Sequence, residues 1–230
     1  MNTANGPASG LVKICGLRQP EHAVVAAGAG ADLLGFIFAP ARRRITPEAA
    51  RQAIAAAKAT TGTDSVLAVG VFVDAGPDEI NEVIRLAGLD LVQLHGDEPP
   101  AMLSSLNRPV IKAFRPPPGT PADAIEPLLA RFRAVANAPL LFLIDGYVAD
   151  AAGGAGARAD WSLASDLASS WPVSLAGGLT AVNVGAAIGT VMPAAVDVSS
   201  GVETAGEKDP VKIVEFIAGA KRAFAESMSS

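Results

Sequence analysis

Leu140-Leu141-Phe142-Leu143-Ile144-Asp145-Gly146 is a run of five apolar residues that stops on a carboxylate and a glycine. A strand with one wet face alternates apolar and polar residues. A strand covered on both faces, as in a parallel sheet packed under helices, is apolar throughout, and 140–144 reads that way. Runs of similar character recur at 11–14, 33–38, 66–72, 91–94, 110–113, 173–176 and 195–198. The sheet is expected to be parallel.

Helix signals separate these runs. Thr46-Pro47-Glu48 places a cap, a first-turn proline and an acid ahead of an Ala-rich stretch, and Asp209-Pro210 does the same for the last helix. Gly76-Pro77-Asp78-Glu79 and Thr180 open two more. Eight strands alternating with helices, at roughly 29 residues per unit, match a closed (β/α)8 TIM barrel better than an open sheet. The reading is one barrel domain over 11–225, with flexible tails at 1–10 and 226–230. The proline-rich stretch 115–121 falls between a strand and a helix of the series, so it reads as a stiff loop and not a domain linker.

Half of the residues are hydrophobic and 18% are charged, which excludes disorder. A net charge of −5 argues against a broad nucleic-acid or anionic-membrane footprint, so any phosphate is expected to be held locally. The most apolar stretch, 23–40, is interrupted by glycines and Asp32 and reads as helix then strand, so no membrane span is expected. The one cysteine cannot form an intrachain disulfide, and 1–10 lacks the features of a signal peptide; a cytoplasmic address follows as the default.

In such a barrel the chemistry is expected at the C-terminal ends of the strands and in the loops after them. Cys15 ends the first strand. A lone cysteine is ordinarily a small core residue, but here Lys13 lies two residues earlier on the same face, where a cation would favour the thiolate a general base needs. Lys13 equally suits a structural ion pair inside the barrel with an acid such as Asp197. Asp145 is either a turn residue before Gly146 or a carboxyl whose apolar setting fits it to donate a proton. Gly177-Gly178 and Ser199-Ser200-Gly201 follow the seventh and eighth strands, where backbone N–H groups and hydroxyls can cradle a phosphate.

Arg42-Arg43-Arg44 follows the second strand, and at least one of the three is a candidate partner for a substrate carboxylate. His95 ends the fourth strand, while His22 is expected on the first helix and exposed. With two histidines in unrelated contexts and one cysteine, no metal site is expected. Lys112 suggests a structural ion pair, or else a Schiff-base lysine.

Taken in order, these pieces resemble the phosphoribosylanthranilate isomerase family of (β/α)8-barrel enzymes, which acts in tryptophan biosynthesis. The resemblance rests on Val12-Lys13-Ile14-Cys15-Gly16, Gly35-Phe36-Ile37-Phe38, Val92-Gln93-Leu94-His95-Gly96 and Leu143-Ile144-Asp145. It continues through Gly153-Gly154-Ala155-Gly156, Ala176-Gly177-Gly178-Leu179 and Asp197-Val198-Ser199-Ser200-Gly201-Val202-Glu203.

The resemblance implies that Cys15 is the general base and Asp145 the general acid of an Amadori rearrangement. It implies that Arg43, counted back from Ile45, meets the anthranilate carboxylate, and that Gly177, Gly178, Asp197, Ser199, Ser200 and Gly201 hold the rest of the substrate. It implies no cofactor, because the substrate nitrogen supplies the electron sink. Ala155 stands where the family often has a hydroxyl residue. The expected partner is a small phosphorylated molecule, with no nucleic acid and no membrane, and the sequence makes no choice between monomer and dimer. Two other readings are an aldolase or epimerase barrel, marked by Schiff-base trapping or metal dependence, and a non-catalytic binder that holds the substrate without turnover.

Overall fold

The computed structural model describes residues 10–61, 66–146 and 158–227. Strands β1 (Leu11–Cys15), β2 (Leu33–Ile37), β3 (Leu67–Phe72), β4 (Leu91–Leu94), β5 (Val110–Phe114), β6 (Leu141–Ile144), β7 (Val173–Leu175) and β8 (Ala195–Val198) form one closed parallel barrel in chain order. The seam closes by pairing β1 with β8, Lys13 opposite Asp197. Around the barrel run α1 (Pro20–Gly28), α2 (Pro47–Thr61), α3 (Pro77–Ala87), α4 (Ala122–Arg133), α5 (Trp161–Ala168), α6 (Val184–Val191) and α7 (Pro210–Ser227). None of the described helices is long and apolar enough to cross a membrane.

Period-two geometry sends alternate strand residues inward and outward. Val12, Ile14, Leu34, Phe36, Val92, Leu94, Phe142 and Ile144 face out and join the helices in the larger core cluster. Leu33, Val69, Leu91, Ile111, Leu141, Leu143 and Ala195 face in and fill the barrel floor. Above that floor the inward positions turn polar: Lys13, Gln93 and Asp197 are buried, and Cys15 tops β1. The apolar floor plugs the barrel, so the chemistry is confined to one mouth.

Local signals explain most boundaries. Thr46 Oγ1 accepts from the Ala49 N–H at 3.3 Å, and Asp209 Oδ1 accepts from Val211 N at 2.9 Å, capping α2 and α7. The 115–121 stretch is indeed the loop from β5 to α4.

Two helix expectations differ from what is found. The chain between β4 and β5 makes only a 3-10 segment, Pro100–Ser105, because Pro99-Pro100 removes two backbone donors and the stretch is too short to recover as an α-helix. Thr180 opens a turn, and α6 begins at Val184; Asn183 Oδ1 accepts from Thr180 N at 2.8 Å while its Nδ2 donates to Gly178 O at 2.9 Å. A two-stranded ribbon between β8 and α7, β9 (Glu203–Thr204) with β10 (Glu207–Lys208), carries no strand pattern in the sequence. Its turn has Ala205 and Gly206 both at positive φ, the geometry that suits a tight hairpin.

Lys112 points outward from β5 and is fully engaged. Its ammonium donates to Gly96 O at 2.6 Å and to Glu98 Oε2 at 2.9 Å, and Glu98 Oε1 accepts the Asp74 N–H at 3.0 Å. It is a structural ion pair, and it lines a second cavity between the 3-10 segment and α4. Removing one member of a buried pair strands the other. Glu98→Leu is therefore expected to destabilise the barrel by about 3–5 kcal/mol, read as a lowered urea midpoint at unchanged slope. A midpoint within error of the parent would show that the pair adds nothing.

Candidate active site

The barrel mouth opens into a cavity of about 410 Å³. Going round the rim, Asp145 follows β6, Gly177 and Gly178 follow β7, Ser199 to Gly201 follow β8, Cys15 ends β1 and Arg43 follows β2; all line this one cavity, with Asp197. The two small-residue loops thus occupy the arc between the carboxyl and the thiol. Loop 153–156, including Ala155, lies outside the described residues.

Glycine is required at four positions in or beside this rim. Gly177 and Gly178 take φ of 83° and 64°, left-handed values that residues with a side chain rarely adopt. At Gly201 a Cβ would come within 1.8 Å of the Leu179 carbonyl oxygen, so the β7 and β8 loops pack backbone to backbone. At Gly35 a Cβ would sit 2.8 Å from Cys15 Sγ, so the missing side chain on β2 makes room for the thiol. Gly35 carries no chemistry, and nothing in the sequence marked it as the neighbour of Cys15.

Lys13 serves both of the roles open to it. Its ammonium donates to Asp197 Oδ2 at 2.7 Å across the seam, and its charge also acts on Cys15. Burial opposes the lysine charge, but Asp197 and Cys15 outweigh it and hold Lys13 above its ordinary pKa. The lysine charge favours the thiolate as expected, but it does not decide the net shift. Burial pushes the Cys15 thiol above its ordinary value; Lys13 pulls against this, Asp197 adds to it, and Lys208 opposes it. Asp197 Oδ1, buried on the cavity wall, has no hydrogen-bond partner.

Asp145 Oδ1 accepts from the Gly146 N–H at 2.7 Å, and Oδ2 lies 3.3 Å from His95 Nε2. That distance allows electrostatic contact, although the groups are not aligned for a hydrogen bond, and Nε2 has no other partner. Gln93 Nε2 lies 2.9 Å from His95 Nδ1; as donor it fixes the ring proton on Nε2, toward Asp145. Gln93 is on the inner face of β4 and His95, directly after the strand, continues that alternation, which brings the pair beside Asp145. His22 is on α1 as expected, but half-buried and not exposed.

Of the three arginines only Arg43 reaches the cavity; Arg42 and Arg44 are exposed. Arg43 donates through Nε and Nη2 to Glu203 at 2.6 and 3.0 Å, and Glu203 also receives Arg42 at 2.7 Å and Lys208 at 3.0 Å. Burial works against a charge on Glu203, but Arg43 and Lys208 hold its carboxyl down at about 2. Glu203 stood in the sequence with no assigned role. The signal for it was its place at the end of the 197–203 motif, and the turn at Gly206 folds Lys208 back beside it.

The family model described as N-(5'phosphoribosyl)anthranilate (PRA) isomerase matches residues 12–219. The N-(5'-phosphoribosyl)anthranilate isomerase of Roseiflexus sp. (strain RS-1) is 46% identical over 217 residues, covering 92% of this chain and 98% of that one. The crystal structure of phosphoribosyl anthranilate isomerase from Thermotoga maritima is 35% identical, with a TM-score of 0.77, and covers 92% of this chain and 98% of its own. Equally covered and 35% identical, at a TM-score of 0.74, is a phosphoribosyl anthranilate isomerase in complex with reduced 1-(o-carboxyphenylamino)-1-deoxyribulose 5-phosphate. With a barrel, a mouth and an ordered set of rim residues all of this kind, the chain belongs to the N-(5'-phosphoribosyl)anthranilate isomerase family.

Proposed function

We propose that Cys15 and Asp145 carry the two proton transfers of the family's reaction in tryptophan biosynthesis. In this Amadori rearrangement N-(5-phosphoribosyl)anthranilate becomes 1-(2-carboxyphenylamino)-1-deoxyribulose 5-phosphate. The observation that carries the reading is the rim order, with thiol and carboxyl on either side of two glycine-rich loops over a single cavity. The loops after β7 and β8 take the phosphate, which leaves the sugar carbons between the two side chains. The reduced product bound by a family member carries both a phosphate and a carboxylate. Arg43, the one arginine of its run on the cavity, is the group that meets the carboxylate.

Asp145 protonates the ring oxygen as the C1′–O4′ bond breaks, and the nitrogen lone pair forms the iminium. Cys15 then takes the C2′ proton, made acidic by that iminium, to give the enolamine. Loss of the O2′ proton and protonation at C1′ yield the ketone, so atoms and charge balance without a redox partner. Asp197 Oδ1, lacking a partner, is suited to accept from a sugar hydroxyl. A sole cysteine used as a base suits a reducing compartment such as the cytoplasm.

Cys15→Ser and Asp145→Asn are each expected to lower turnover by roughly 10²- to 10⁴-fold while leaving inorganic phosphate binding intact. The measurement is loss of substrate fluorescence after fresh phosphoribosylanthranilate is supplied. Parental turnover in either variant would remove that residue from its role, and tight binding by the parent protein with no turnover would favour a binder.

The sign of the pH effect follows from burial. Because burial raises the thiol's pKa, the reactive thiolate is scarce at neutral pH and grows as pH rises past the ordinary value of 9.0. Iodoacetamide labelling of Cys15 should therefore be slow at neutral pH, rise about tenfold per pH unit and still be rising at pH 9, with product analogue protecting it. A labelling rate already level by pH 8 would show that Lys13 wins over burial.

A further inference from the structure

The Glu203 side chain is 6% exposed and gathers three cations from two segments: Arg42 and Arg43 from the loop after β2, and Lys208 from the ribbon after β8. Lys208, itself buried, also donates to Ser199 O at 2.7 Å, so the same ammonium touches the loop beside Cys15. The Arg43 stem lies across the end of β1, where a Cβ on Gly16 would stand 2.6 Å from Arg43 Cδ. The stem is therefore laid over a glycine, and the head is held by a carboxylate.

A guanidinium offers five N–H donors in a planar fork with two bidentate edges. Glu203 occupies the Nε/Nη2 edge, with Nε to Oε1 at 2.6 Å and Nη2 to Oε2 at 3.0 Å. The end-on Nη1/Nη2 edge is left for a ligand. We propose that Glu203 is a positioning residue for Arg43, fixing the guanidinium so that its end-on edge receives the carboxylate of the substrate. Glu203 does not touch the ligand in this arrangement. Without it, Arg43 would lose its fixed plane and would sit near Arg42 and Lys208 with no counter-charge to hold the three together. The proposal rests on the reading of Arg43 as the carboxylate partner. Glu203 stays ionised across the working pH range, so the clamp does not open with ordinary pH changes.

The test compares two ligands, the reduced product analogue and the same molecule with aniline in place of anthranilate, which lacks the carboxylate. The preference for the first over the second isolates the carboxylate contact. Arg43→Gln should abolish that preference; if it does not, the role of Arg43 is wrong, whatever Glu203 does. Glu203→Gln should lower the preference roughly tenfold and raise KM by a similar factor. It should leave kcat within about threefold, and affinity for the aniline analogue and for inorganic phosphate unchanged.

In the Arg43→Gln background, Glu203→Gln should have no further effect on the preference. An unchanged or increased preference in Glu203→Gln, or an equal loss for both ligands, overturns the proposal. If Glu203→Gln does not fold, Glu203→Asp decides. This shorter carboxylate keeps the charge but cannot span both segments, so it should lose at least about threefold of the preference, and a parental preference there overturns the proposal.

Discussion

The closure of the barrel is the constraint on which the site depends, and its most telling contact is the buried pair between Lys13 and Asp197. The two are register partners across the one seam that joins the first strand to the last, and their side chains meet at 2.7 Å. A buried ion pair is weak evidence for net stability, since desolvation consumes most of the attraction. Its better-attested use is to specify register. A slip of one residue at this seam would bury one charge alone and turn Cys15 from the inner face to the outer. The pair that aligns the seam thereby places the thiol at the mouth.

The electrostatics of the mouth follow from that placement. Two lysines and an arginine lie near one thiol, yet its pKa is raised, because burial, with Asp197 adding to it, costs the thiolate more than those charges return. Each cation is already committed, Lys13 to Asp197 and the other two to Glu203. A carboxylate that neutralises a nearby cation also removes much of its pull on the sulfur.

The sequence revealed what depends on one residue's own place along a strand. Apolar runs give strands buried on both faces, and the residues that end or directly follow each run fall on the rim, which makes Cys15, Asp145 and the glycine loops legible from sequence. What it did not reveal depends on two residues meeting from distant parts of the chain. Gly35 matters only because Cys15 lies opposite, and Glu203 only because Arg43 arrives from the other side of the seam. The net direction of the Cys15 shift was out of reach for the same reason: a neighbouring lysine is visible in sequence, but burial is not. The failure of a helix to form after β4 was written in Pro99-Pro100, but the regular alternation elsewhere outweighed it.

The bridge from the β2 loop to the β8 ribbon through Glu203 also has a thermodynamic reading. On the proposed reading, in which the β2 loop takes the carboxylate and the loop after β8 takes the phosphate, the two ends of the ligand meet segments tied to each other through Glu203 and Lys208, so ordering either segment lowers the conformational entropy left for the other to lose. A fragment held at one end makes the second end cheaper to fill, and a covalent link between the fragments adds effective concentration to that gain. The affinity of the intact ligand then exceeds the sum expected from its separated halves, with the excess carried by a carboxylate that neither half touches.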